Sequence, residues 1–164
     1  MFDTLFDRTA VASFGRAGFT RHARRFAPGP WRPLDGTGVL ITGGTSGIGF
    51  AAAERLAGLG ASCVLWGRRE GVGRHAASAV GGAFRSVDLA DLASVQQAAW
   101  QVEGPLSGVV LNAGAMPLAR RLTPQGHEQM WASQVLGHLL LLRVLMRRGL
   151  LDAETRVVWV SSGG

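Results

Sequence analysis

The order of apolar and helical patterns predicts an α/β fold in which helices cover both faces of a parallel sheet. From residue 37 onward, short apolar runs alternate with longer segments of helical pattern, which is typical of parallel sheets. The runs 109–111 and 157–160 are apolar throughout, as strands buried on both faces are. We therefore predict a doubly wound sheet of about five strands, preceded by an N-terminal helix.

The first 33 residues differ from the rest and are predicted to be a separate segment. Residues 2, 5, 6, 9 and 10 recur at helical spacing and predict a short amphipathic helix. Prolines at 28, 30 and 33 then indicate a linker, so the main domain covers 34–164. We expect the helix to lie over the core of that domain, and contact with a membrane or a partner is the alternative.

Strands and helices then follow in regular order. The predicted strands are 39–41, 61–66, 83–87, 109–111 and 156–161, and the predicted helices are 46–59, 71–80, 94–102 and 123–148. Gly60 ends the first helix, and Gly104 and Pro105 precede the fourth strand. The last helix has Thr123 as its predicted N-cap and Pro124 in its first turn.

A glycine-rich turn, TGGTSGIG at 42–49, joins the first strand to the first helix. Glycines allow a sharp turn and leave room for an anion to approach the backbone. The free N–H groups and the positive end of the helix then favour phosphate. The turn therefore predicts a pyrophosphate site, although its spacing differs from the commoner G-x-G-x-x-G.

Ligands of open parallel sheets bind beyond the carboxyl ends of the strands, and polar residues follow each strand there. Arg68 follows the second strand, where an acid favours NAD and an arginine accommodates the 2′-phosphate of NADP. We therefore expect NADP(H) rather than NAD(H), with simple solvation of Arg68 and Arg69 as the alternative. Asp88 follows the third strand, Asn112 the fourth and Ser162 the fifth.

Together, T-G-G-T-S-G-I-G, D-L, N-A-G and V-S-S resemble the short-chain dehydrogenase/reductase superfamily, and in particular its branch called member 12. The resemblance covers 37–164 and implies a Rossmann-like fold that binds NAD(P). It implies that Ser162 hydrogen-bonds the substrate oxygen, whereas Asp88 contacts adenine beside Leu89. The implied cofactor-binding residues are Thr42, Gly43, Thr45, Ser46, Gly47, Ile48, Gly49, Arg68, Asp88, Leu89, Asn112, Ala113 and Gly114.

Two departures from the family pattern concern proton transfer. Gln134 stands where the resemblance implies an active-site asparagine, so it is a weak catalytic candidate, and we interpret His138 as a packing histidine. The family's Tyr-x-x-x-Lys cannot occur, because the sequence contains neither residue type. We therefore expect an incomplete piece of a longer enzyme, inactive alone, with an apolar open edge at 157–160 that promotes self-association.

Composition narrows the remaining function classes. The net charge of +6 comes entirely from arginines scattered in ones and twos, which does not favour nucleic-acid binding. A single cysteine, Cys63, cannot form an internal disulfide, and we expect a cytoplasmic protein. The four histidines show no metal spacing, so no metal is expected.

We interpret the whole sequence as the cofactor-binding part of an NAD(P)-dependent oxidoreductase that acts on a small carbonyl or alcohol substrate. A non-catalytic nucleotide-binding or regulatory scaffold is the alternative, because the lack of tyrosine and lysine fits it equally well.

Overall fold

The structure, a computed structural model, describes residues 16–23 and 32–161. The chain divides into two compact units, 1–32 and 33–164. In the first unit, α1 spans Arg16–Ala23, within a stretch for which we predicted no helix. The amphipathic helix predicted for 2–10 lies outside the described residues.

The second unit contains a five-stranded parallel sheet, as predicted. Its strands are β1 (Gly38–Thr42), β2 (Ser62–Gly67), β3 (Ala83–Ser86), β4 (Gly108–Leu111) and β5 (Arg156–Trp159). Their order across the sheet is β3-β2-β1-β4-β5. The chain therefore moves outward from β1 in one direction, then crosses to the other side at β4, which places a topological switch point at the carboxyl ends of β1 and β4.

Helices connect the strands and cover both faces of the sheet. They are α2 (Gly47–Ala57), α3 (Glu70–Ala79), α4 (Leu92–Trp100), α5 (Gln129–Trp131) and α6 (Gly137–Arg147), with a π-helical turn at Ala132–Leu136 between the last two. We call the continuous segment from α5 to α6 the long helix. No helix in the described parts of the chain combines the length and apolarity needed to cross a membrane.

Alternation along β1 divides the core into two layers. Val39 and Ile41 pack with Cys63 and Ala53 on one face, against α2 and α3. Leu40 faces the other way, into a cluster that includes Leu141 of α6. Successive strand residues point to opposite faces of a sheet, so a single short strand serves both layers.

The long helix begins later than predicted. Thr123 does not cap it, because its hydroxyl accepts a hydrogen bond from His127 N (3.3 Å) within a turn, while the cap is Glu128. The Glu128 carboxylate accepts from Met130 N and Trp131 N at 3.0 and 2.9 Å. These backbone hydrogen bonds hold the pKa of Glu128 below its usual value. A charged acceptor of two N–H groups is a stronger cap than a hydroxyl.

The apolar edge expected at 157–160 is present in the described residues. β5 pairs with β4 alone, and Val157, Val158 and Val160 are all exposed, Val158 by 51%. The interpretation of this run as buried on both faces is therefore wrong for the structure described.

Candidate functional site

A cleft of about 710 Å³ lies at the carboxyl ends of the central strands. Its lining comes from the glycine turn, from the segments after β2, β3 and β4, and from the start of the long helix. The lining residues are Gly43, Thr45, Ser46, Trp66, Gly67, Arg68, Arg69, Val87, Asp88, Leu89, Ala90, Asn112, Ala113, Gly114, Ala115, Met116, Pro117, Arg121, Gln129, Met130 and Ser133.

The glycine turn is packed tightly against the segment that follows β4. Gly43 has a φ of 65°, a conformation that favours glycine. A Cβ at Gly43 would lie 2.9 Å from the Cα of Ala113. The Asn112 side chain supports this packing, since its Nδ2 donates to Thr42 O (3.2 Å) and Gly43 O (3.3 Å). The first and fourth strands therefore hold the turn in one position.

The N-terminus of α2 faces the cleft without a side-chain cap. Ser46 is the N-cap residue, but its hydroxyl accepts no hydrogen bond from the first turn, which also has no acidic residue. By contrast, the Asp91 carboxylate caps α4 by accepting from Ala93 N at 3.0 Å. The first N–H groups of a helix need partners, so α2 offers donors that an anion satisfies well.

Thr42 forms the centre of a buried hydrogen-bond network beneath the turn. Its Oγ1 accepts from Asn112 N (3.0 Å) and Ala113 N (3.1 Å), and it lies 2.9 Å from His138 Nε2. His138 Nδ1 must donate to Gln134 O, 3.0 Å away, because a carbonyl only accepts. In the neutral ring Nε2 is then the acceptor, so the Thr42 hydroxyl donates to it.

Burial favours the neutral form of His138. The residue is 1% exposed, and desolvation lowers the pKa of its imidazole, while the hydrogen bond to Gln134 O acts in the opposite direction. The neutral form is the one that can accept from Thr42. Trp159 of β5 packs edge-on against the imidazole, with the ring centroids 5.7 Å apart.

Arginines dominate the charge of the cleft. Arg68, Arg69 and Arg121 line it and are exposed, and none of the three forms an ion pair within the described part of the chain. Asp88 is the acidic residue of the lining, and its Oδ1 accepts from Ala90 N at 3.0 Å. The site therefore presents a net positive charge to a ligand.

Most of the predicted cofactor-binding residues line the cleft, and four lie apart from its lining. Thr42 is buried beneath the turn, while Gly47, Ile48 and Gly49 belong to the first turn of α2. Ile48 is 73% exposed. Gln134 lies in the π-helical turn, and its Nε2 donates to Ala115 O at 2.8 Å. Ser162 lies outside the described residues.

One wall of the cleft was not predicted from the sequence. Arg121, Met116, Pro117, Gln129, Met130 and Ser133 line it, yet none belongs to a motif that we could place. The position of these residues in the chain could have indicated them, because the segment after a strand of a parallel sheet borders the ligand crevice. That segment was expected to become helix at Thr123, whereas it continues as a loop to Glu128.

Comparison with known proteins identifies the family. The family model described as short chain dehydrogenase matches residues 37–164. The chain belongs to the short-chain dehydrogenase family. Proteins of this family use nicotinamide cofactors, so the class of ligand expected from the glycine turn agrees with the family.

Relatives of this short-chain dehydrogenase chain include a Streptomyces lividans protein named "Probable oxidoreductase". It is 40% identical over 138 residues, covering 79% of this chain and 46% of the relative. The bovine protein named dehydrogenase/reductase SDR family member 12 is 29% identical over 165 residues, covering 94% of this chain and 52% of its own. The chain thus spans about half the length of the relatives it matches.

Solved structures support the same fold. A Mycobacterium paratuberculosis protein superposes with a TM-score of 0.74 at 34% identity, covering 84% of this chain and 50% of that one. A blue fluorescent protein from a metagenomic library, solved in complex with NADPH, gives a TM-score of 0.64 at 26% identity, covering 77% of this chain and 56% of that one.

No group of three potential metal ligands occurs within the described ranges.

Proposed function

We propose that the cleft binds a nicotinamide dinucleotide and that the chain is the cofactor-binding part of a short-chain oxidoreductase. The uncapped N-terminus of α2 carries this proposal. It lies beside a turn in which glycines keep side chains away from the backbone donors. A pyrophosphate supplies the acceptors that these donors lack.

The residues present fit such a cofactor. Gly43, Thr45 and Ser46, with Gly47 and Gly49 in the first turn of α2, would hold the phosphates. Asp88 with Leu89 would border the adenine end. Asn112, Ala113 and Gly114 would form the wall at the centre of the sheet. The cleft volume of about 710 Å³ lies within the range of roughly 300–1,000 Å³ that is typical of ligand sites.

We further propose that the chain prefers NADP(H) to NAD(H). Arg68 and Arg69 follow β2 and line the cleft without a carboxylate partner in the described residues. A guanidinium recognises phosphate by paired hydrogen bonds and charge. The NADPH complex of one structural neighbour is consistent with this preference.

In the whole enzyme, the nicotinamide would supply the hydride chemistry for a carbonyl or alcohol substrate. The residues of this chain bind and orient, and Ser162 would hydrogen-bond the substrate oxygen. Because the chain contains no tyrosine and no lysine, it lacks the family's proton-transfer pair. We therefore propose that it binds the cofactor but does not turn over a substrate.

Titration calorimetry with NADPH and NADH tests binding by the 164-residue chain. We expect saturable binding with a lower Kd for NADPH than for NADH. The proposal would be overturned if neither dinucleotide binds. Incubation with NADPH and a panel of aldehydes and ketones tests turnover. Protein-dependent loss of cofactor absorbance would contradict the expected inactivity while supporting dinucleotide binding.

A further inference from the structure

His138 joins the long helix, to which it belongs, to the ends of β1 and β5 beneath the glycine turn. Through Nε2 it contacts Thr42 at the end of β1, through Nδ1 it contacts the Gln134 carbonyl of the long helix, and its ring edge packs on Trp159 of β5. The residue is buried and both ring nitrogens have partners. Burial alone requires partners for both ring nitrogens, but one of these partners is the Thr42 hydroxyl, which also accepts the N–H groups at the end of β4.

We infer that His138 is a positioning residue for the phosphate-binding turn, acting through Thr42. The inference rests on the proposed function, because it concerns how tightly the turn holds a dinucleotide. Thr42 Oγ1 accepts the N–H groups of both Asn112 and Ala113. The direction in which its hydroxyl donates therefore determines how the end of β4 is anchored to the end of β1.

Protonation of His138 removes the acceptor that holds the Thr42 hydroxyl. The alternative acceptor is Val110 O, which lies 3.4 Å from Oγ1, a longer contact than the 2.9 Å to Nε2. If the hydroxyl turns toward Val110 O, the geometry at Oγ1 changes for both N–H donors. Asn112 then shifts, and its Nδ2 bonds to Thr42 O and Gly43 O shift with it.

The groups that face the imidazole carry no charge of their own. β1 presents the Thr42 hydroxyl, β5 presents the Trp159 indole, and the long helix presents the Gln134 carbonyl. Among the residues that the structure describes, no charged side chain contributes to the lowered pKa of His138. The protonation state of this residue therefore depends on burial and on its two hydrogen bonds.

The test measures the Kd for NADH between pH 5 and 8 for the wild-type chain, for His138→Gln and for a control, His75→Gln. NADH has no 2′-phosphate, so the titration of that group does not enter. His75 is an exposed histidine on α3. We expect wild type and His75→Gln to bind at least threefold more weakly at pH 5 than at pH 7.5. We expect His138→Gln to be weaker at pH 7.5 and to show a flat profile.

The outcomes separate the two proposals. If the wild-type chain binds no dinucleotide at pH 7.5, the proposed function fails and this inference fails with it. If it binds but its pH profile is flat, or matches that of a folded His138→Gln, this inference alone is overturned. The wild-type profile keeps the inference falsifiable even when the variant does not fold.

Discussion

A Cβ atom at Gly49 would lie 2.5 Å from Nδ2 of Asn112 and in still closer contact with the carbonyl oxygen of Gly43. The first turn of α2 thus approaches the glycine turn and the end of β4 as closely as the backbone allows. Asn112 cannot move aside freely, because its Nδ2 is bonded to Thr42 O and Gly43 O. This three-way contact fixes the position of the uncapped helix end.

Gly49→Ala is therefore expected to disrupt the site. The added methyl group must displace Asn112 or the turn, and overpacking of this kind costs about 1–3 kcal/mol of unfolding free energy. Chemical denaturation measures this loss, and calorimetry measures the accompanying rise in the Kd for NADPH.

The matched control is Gly71→Ala on α3, where an added Cβ meets no atom within 4 Å. There we expect a gain of about 0.4–1 kcal/mol, because alanine restricts the unfolded chain, and an unchanged Kd. Wild-type stability and affinity in Gly49→Ala would show that the contact is not a constraint.

Arg68→Gln is expected to reduce the preference for NADP. Loss of one hydrogen bond to a charged group costs about 1.5 kcal/mol, so the Kd for NADPH should rise roughly tenfold while that for NADH stays nearly constant. The control Arg143→Gln removes the same charge from an exposed position on α6. Parallel changes in both Kd values for Arg68→Gln would exclude a contact with the 2′-phosphate.

The positions of the five strands followed from the sequence, because most of them are short apolar runs between clear turn residues. The glycine turn was equally readable, since its glycines recur within eight residues between an apolar run and a helical pattern. Such features depend on residues close together in the chain.

Contacts between residues that are far apart in the chain could not be predicted from the sequence. The hydrogen bond from Thr42 to His138 joins residues 96 positions apart, and no spacing rule connects them. The long helix is capped by Glu128 and not by Thr123, because Thr123 and His127 hydrogen-bond to each other in a turn before the helix. Arg121 also lines the cleft. Its position could not be predicted, because the loop that contains it extends to Glu128, beyond the predicted start of the long helix.

The lowered pKa of His138 predicts a pH dependence of stability. As pH falls below the ordinary value of 6.5, the unfolded chain takes up the proton before the folded chain does. The free energy of unfolding therefore decreases from pH 6.5 down to the folded pKa of this group. Denaturant unfolding at pH 7.5 and 5.5 should show this decrease in wild type and in His75→Gln, and a smaller one in His138→Gln. An equal decrease in all three chains would assign the effect to other groups.

Val158→Lys is expected to reduce self-association through the edge of β5. Val157, Val158 and Trp159 are exposed there, and a strand with unpaired backbone groups and apolar side chains pairs readily with another chain. A lysine on such an edge opposes pairing by charge and by the cost of its desolvation. Sedimentation velocity over a range of concentrations should show associated species for wild type and a larger monomer fraction for the variant.

The control Val72→Lys makes the same change at an exposed position on α3 and should behave as wild type. A wild-type chain that stays monomeric throughout that range would mean that the exposed edge does not drive association.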